Sequence, residues 1–291
     1  LTGFQIDFDC PTAMLSSYAE WLKRVRKVLP NDDLQLSITV LPDWLSVRSF
    51  APLVKDMSYF VLQAHSLDTP KSADDQIVLC DPVRLHRWIQ KASAVGVPYQ
   101  VALPTYGYRF FFDKKGAYVG FTAENGGGPA YRPGMSMHEV LSDPDAMAAV
   151  VAELHSNQPR NCQGIAWFRM PVATDQLNWP WETFEAVIAG RPPKTSFAAE
   201  GRNPKPDLYE VWVKNTGERT LGHPIRLKIG SSELSLLAKD TVGGFRSGQD
   251  NIVEGPAPPP GRDCMVAWFR VMPDSYSKNE VKDIATIEAL P

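Results

Sequence analysis

From its start to about residue 190 the chain alternates between short apolar runs and stretches of helical period. Phe4, Ile6 and Phe8 alternate with Gln5, Asp7 and Asp9, which predicts a strand over 4–9. Leu15, Tyr18, Ala19, Leu22 and Val25 recur at helical spacing and predict a helix over 13–28 capped by Thr12. Apolar runs at 36–41, 59–64, 99–103 and 164–168 predict four more strands. Between them lie a short helical piece at 47–54, a helix opened by Asp81-Pro82 and running through Ala94, and another near 143–156. Strands and helices in this rhythm argue for parallel βαβ units.

Two segments break the rhythm. After the strand at 99–103 comes a long insertion, 108–140, with an expected hairpin: Arg109 to Phe112, a turn at Lys114-Lys115-Gly116, then Ala117 to Phe121. Loops of this length are functional or disordered, and its aromatic content favours a folded lid. Residues 191–206 are proline-rich, polar and without period, which predicts a linker. Beyond it the helical pattern stops. Short runs at 208–213, 224–229, 233–237 and 265–271, separated by turn residues, predict a small immunoglobulin-like β-sandwich over 207–291, with Trp212, Val213, Trp268 and Phe269 suited to its core.

Composition narrows the function classes. With 44% hydrophobic and 22% charged residues, the chain can bury a large core. Its net charge of −3 and the absence of any Lys/Arg run longer than a pair leave no basic field for phosphate backbones, so nucleic acid is not an expected partner. No apolar run approaches the roughly 20 residues of a membrane helix, so no span is expected in this chain. The first residues already read as a buried strand, so a mature or truncated N-terminus is expected. Four cysteines, widely spaced, show no metal-ligand spacing; they read as free thiols or, in an exported protein, as one disulfide. Eight tryptophans suit either core packing or a carbohydrate surface.

The candidate chemistry begins with Asp7 and Asp9. Residues two apart on a strand share a face, with Cα atoms about 6.6 Å apart. Two carboxylates that close, aimed into a cavity, can divide roles, one ionised and the other holding a proton. The bland alternative is a solvated face of an edge strand.

Read together, the strand ends resemble the second half of the barrel of family 18 glycoside hydrolases, the chitinase group. That group has an acidic D-x-x-D-x-D-x-E strand, a strand ending M-x-Y-D, a G-x-P-x-Y-G strand followed by an inserted lid, and a last strand carrying Trp. Here the first is Thr2-Gly3-Phe4-Gln5-Ile6-Asp7-Phe8-Asp9, with Asp9 where the family has its proton-donating Glu, Asp7 at the acid beside it, and Thr2 and Gln5 where acids are expected. Leu62-Gln63-Ala64-His65 replaces the second motif, Ala102-Leu103-Pro104-Thr105-Tyr106-Gly107 matches the third, and Trp167 fits the tryptophan that floors the sugar pocket. Gln5-Ile6-Asp7-Phe8-Asp9-Cys10-Pro11, Leu41-Pro42-Asp43-Trp44 and Leu103-Pro104-Thr105-Tyr106-Gly107-Tyr108 are closer still to an uncharacterised bacterial domain-of-unknown-function family that also carries a C-terminal β segment.

The resemblance implies a TIM-barrel-like (β/α) domain over 1–190 that lacks its first three βα units. About 100 further residues before Leu1 would be needed to supply them. It also implies a glycoside hydrolase or glycan-processing enzyme, with Asp9 as general acid and Asp7 as its neighbour. Gln5, Asp43, Gln63, His65, Tyr106, Trp167 and Arg169 are then expected to bind a polysaccharide or oligosaccharide, in the periplasm or outside the cell. The replacement of the Tyr-Asp pair by Ala64-His65 leaves N-acetylated substrates unsecured. A catalytically silent carbohydrate-binding barrel and a structural or assembly role are the alternatives. Asp7, Asp9 and His65 lack a second His and any clustered ligand spacing, so neither metal nor other cofactor is expected. The sequence does not determine the oligomeric state.

Overall fold

The computed structural model describes residues 2–29, 33–65, 69–124, 126–130, 132–229, 236–271 and 285–287. The chain divides into two compact units, Leu1–Trp179 with Val187–Pro192, and Pro180–Ala186 with Pro193–Pro291. No helix among the described residues is long and apolar enough to cross a membrane.

The first unit opens with β1 (Gly3–Ile6), α1 (Leu15–Val28), β2 (Gln35–Val40), α2 (Phe50–Val54), β3 (Tyr59–Gln63), α3 (Pro82–Ala94) and β4 (Tyr99–Pro104). An insert of β5 (Gly107–Phe112), β6 (Tyr118–Thr122) and β7 (Ser136–Leu141) follows, then α4 (Pro144–Ser156) and β8 (Cys162–Phe168). Strands β1, β2, β3, β4 and β8 lie side by side in that order, every pair parallel. The expected adjacency and direction of all five are therefore present, and β1 and β8 are the outer strands. Asp81 and Asp143 cap α3 and α4, each accepting backbone N–H groups ahead of a proline in the first turn.

Three local expectations need correction. The ladder of β1 ends at Ile6 rather than residue 9, because the chain turns as Cys10 N donates to Phe8 O at 2.8 Å. Thr12 caps nothing: a 3₁₀ turn over Thr12–Met14 precedes α1, and neither the turn nor the helix has a side-chain cap. The insert is a three-stranded antiparallel sheet, β6-β5-β7, rather than a lone hairpin. Its turn lies where expected, with Asp113 accepting from Lys115 N and Ala117 N and with Gly116 at φ +79°.

The second unit takes the first part of α5 (Trp181–Ile188) and then β9 (Phe197–Lys205), β10 (Leu208–Asn215), β11 (Ile225–Ile229), β12 (Leu236–Thr241), β13 (Arg246–Ser247), β14 (Ile252–Gly255), β15 (Asp263–Val271) and β16 (Ala285–Ile287). These form two antiparallel four-stranded sheets, β12-β15-β10-β9 and β13-β14-β11-β16. Most of the segment expected as a linker, 191–206, is thus strand. Phe197 and Ala199 pack against the core of this unit, and Pro204 is tolerated because β9 is an edge strand. Of the expected strand at 233–237, residues 233–235 lie outside the described ones. Val211, Val213, Leu227, Val253, Val266 and Phe269 are in the core. Trp212 points to the other face, where the Arg202 guanidinium covers its ring at 4.1 Å. All four cysteines are free.

Candidate functional site

The parallel strands present two faces. Leu36, Ile38, Val40, Phe60, Leu62, Tyr99, Val101 and Leu103 are buried on one of them. The alternate positions Thr39, Val61, Gln63, Ala102 and Ala166 line a cleft of about 560 Å³, and so do Gln5, Asp7, Asp9, His65 and Tyr106, at or near the strand ends. Leu79, Tyr108, Trp167 and Phe168 complete its walls. Small residues on the cleft face of β4 and β8, Ala102 and Ala166, leave the space open. Such a position, at the carboxyl ends of parallel strands, is where α/β folds hold their ligands.

Asp7 is held from two neighbouring strands. Its Oδ1 accepts from Thr39 Oγ1 at 2.8 Å and from Gln63 Nε2 at 3.4 Å, so the carboxylate is oriented before any ligand arrives. Asp9 lines the same cleft with its side chain exposed. Tyr18, on the buried face of α1, has its hydroxyl pushed up to about 12, first by burial and then by the charges of Cys10 and Asp7, so it stays protonated.

His65 and Tyr106 form the opposite wall. The backbone around Tyr106 is pinned: Gly107 N donates to Leu177 O at 2.7 Å, Trp179 N to Thr105 O at 3.1 Å, and Ser142 N to Tyr106 O at 3.0 Å. Tyr108 OH donates to Tyr106 OH at 3.2 Å, which leaves the Tyr106 proton for His65 Nδ1 at 3.0 Å. That chain selects the neutral imidazole with its proton on Nε2. Phe168 stacks on the His65 ring, with centroids 5.5 Å apart and planes 15° from parallel. Burial lowers the His65 pKa, and the charges of Asp9 and Asp7 offset this only in part. Burial, with the bond from Tyr108, raises that of Tyr106, which remains a phenol.

These shifts set a stability test. His65 ionises less readily folded than at its ordinary value of about 6.5, so the unfolded chain binds the extra proton first and stability falls as pH drops through that value. His86 is the reverse case. Its bond to Glu153, then the one to Pro82 O, raises its pKa, so its contribution is complete below the ordinary value and is lost as pH rises through the raised one. Urea midpoints measured across roughly pH 5 to 8 should show His65→Gln removing acid sensitivity and His86→Gln removing alkaline sensitivity. The same sign for both would contradict this assignment.

Seven of the nine residues expected at the site line the cleft: Gln5, Asp7, Asp9, Gln63, His65, Tyr106 and Trp167. Two do not. Pro42 turns the chain into a 3₁₀ segment after β2, which buries Trp44 and leaves Asp43 exposed away from the cleft. Arg169 is bound to Asp175 and lies 4.0 Å from Glu124. Glu124 also accepts from Gln176 N and Leu177 N, both at 2.5 Å, which ties the insert to the loop after β8.

Trp167 only borders the cleft. Its register partner is Leu103 on the helix side, and its ring meets Trp179 edge-on at 6.4 Å. Phe168, Thr39 and Tyr108 belong to the site and were not expected there. The alternation of Ser37 and Thr39 with apolar neighbours carried a signal for Thr39, and the parity of β8 against Ala166 carried one for Phe168. Among the described residues no group of three or more His, Cys, Asp or Glu is placed to hold a metal ion.

Residues 1–173 match the family described as Domain of unknown function (DUF3142). A comparison with curated proteins finds no match. Among solved structures, the chain is similar to a chitinase from Chromobacterium violaceum, with 14% identity and a TM-score of 0.44 over 65% of this chain and 66% of that one. It is similar to chitinase ChiA74 from Bacillus thuringiensis, with 10% identity and a TM-score of 0.41 over 93% and 72%. It is also similar to the Bacillus cereus spore cortex-lytic enzyme SleL, with 12% identity and a TM-score of 0.45 over 65% and 48%. The matched part spans just under two thirds of the first of these proteins and about half of the last.

Proposed function

This chain belongs to the DUF3142 family, and from that footing we propose that its cleft binds a glycan and hydrolyses it, with Asp9 as the proton donor. The observation that carries the reading is one cavity holding two carboxylates, one of them pre-oriented by Thr39 and Gln63, against walls of Tyr106, Tyr108 and Phe168. Sugar rings present apolar faces that stack on aromatic walls and hydroxyl edges that bond to Gln, Thr and Asp. The motif resemblance to family 18 glycoside hydrolases supports the same roles.

In the reaction, Asp9 gives its proton to the leaving glycosidic oxygen as the bond from C1 to that oxygen breaks. The Asp7 carboxylate faces the positive charge that develops at C1. Water then adds to C1 and returns its proton to Asp9. The reading takes residues 1–190, with the insert at 108–140, as an arc of a (β/α) barrel. The strand order and parallel direction support that. It takes the two C-terminal sheets as an immunoglobulin-like sandwich, and it places the protein in the periplasm or outside the cell, where polymeric glycans are met.

The test is to incubate the full chain with oligosaccharides of neutral, N-acetylated, free-amine and uronic sugars, following reducing-end release and binding. Release from at least one is the expected result. Binding without release from any would make this a silent carbohydrate-binding cleft, and neither binding nor release would end the glycan reading.

A further inference from the structure

The charge pattern of the cleft is one-sided. Among the described residues that line it, Asp7 and Asp9 are carboxylates and none is Lys or Arg. The two arginines nearest its walls in sequence are engaged elsewhere: Arg169 with Asp175 and Glu124, and Arg109 with Glu139 at 3.1 Å. Among the described lining residues, His65 alone could add positive charge. It accepts the Tyr106 proton at Nδ1, and its burial opposes the cation. The remaining walls are aromatic rings, uncharged polar groups and the aliphatic side chains of Val61, Leu79, Ala102 and Ala166. Aromatic faces attract cations, and a low-dielectric cleft lined by one sign of charge concentrates ligands of the other.

An anionic sugar entering this cleft would meet the Asp7 carboxylate and, among the described lining residues, no Lys or Arg to compensate it. A neutral sugar carries no charge of its own for the Asp7 carboxylate to meet on binding. A single ammonium group satisfies it, since three N–H donors can reach carboxylate oxygens while the rings shield them from water. A bare metal ion fits less well, because among the described residues no third ligand completes a metal-holding group.

Resting on the glycan-hydrolase reading above, we propose that the substrate is a glycan of amino sugars whose amines are free, one ammonium seated by the Asp7 carboxylate within the aromatic walls. The N-acetylated form of the same sugar lacks the charge that the cleft selects.

Calorimetric titration of the full chain with glucosamine, N-acetylglucosamine and glucose tetramers, at a pH where the amine is protonated, tests this. The glucosamine tetramer should bind about tenfold or more tighter than the other two. That advantage should shrink as salt rises, because the attraction is screened. Asp7→Asn should reduce the preference for the glucosamine tetramer over the other two. Should that variant fail to fold, the salt dependence of the wild-type preference decides alone. Equal affinity for all three tetramers, or a preference insensitive to salt, would overturn the substrate assignment while leaving the hydrolase reading in place. If no tetramer binds and none is cleaved, the glycan reading itself fails.

Discussion

Asp9→Asn is expected to reduce glycan turnover by about 10² to 10⁴-fold, the usual contribution of a positioned general acid. The substitution keeps the size of the side chain and removes the proton that the leaving oxygen needs. Asp9 is exposed and lies beyond the β1 ladder, so stability should change by no more than about 0.5 kcal/mol. Glycan affinity should survive, because the aromatic walls and the Asp7 carboxylate with its two donors are untouched. Measuring kcat and the dissociation constant on the same preparation separates the two effects. A variant within tenfold of the wild-type kcat would remove Asp9 from the role of acid, and a parallel loss of binding would make it a ligand contact instead.

The largest stability effect is expected at Phe60→Ala, a loss of about 3 to 5 kcal/mol. Phe60 is fully buried on the helix side of β3, in the middle of the parallel sheet. Its ring stacks on Tyr99, with centroids 5.4 Å apart, and meets Phe50 edge-on at 5.7 Å. Neighbours drawn from two strands and a helix cannot all move in to fill the space left by the ring, so the cavity adds to the lost burial. The cleft residues of the same strand, Val61 and Gln63, point the other way. Urea unfolding of the variant should therefore show a lowered midpoint while glycan binding below the transition is retained. A shift under about 1 kcal/mol would mean that the sheet collapses around the site.

Much of the first unit was legible because its strands announce themselves. The runs at 36–41, 59–64 and 99–103 are apolar at every position that faces the buried side of the sheet, which sets a period of two. Asp81-Pro82 likewise marked a helix start, since the cap and the proline act locally. Strand β7 left little mark, because its residues are almost all exposed and no buried face imposes a period of two. Strand β9 was hidden by composition: prolines on both sides read as a linker, and only its place at a sheet edge makes them compatible with a strand.

The candidate site divides in the same way. Asp7, Asp9, Gln63, His65 and Tyr106 follow from strand period and from where each strand ends, which are local properties of the chain. The fate of Asp43 and Arg169 is not local, because polar residues at strand ends look alike until packing assigns their partners. A 3₁₀ turn carries Asp43 outward, and carboxylates distant or nearby in sequence, Glu124 and Asp175, claim Arg169. The exchange of Trp167, expected as the floor of the sugar pocket, for Phe168 as the ring on the cleft face turns on a shift of one residue, which reverses the face of every side chain.

By itself, then, the sequence determined which segments are strands or helices wherever burial imposes a period, and that the two carboxylates stand together just where the first strand ends. The tertiary structure alone decided which polar groups remain free to meet a ligand, because hydrogen bonds and ion pairs between residues far apart in the chain form only once the strands lie side by side.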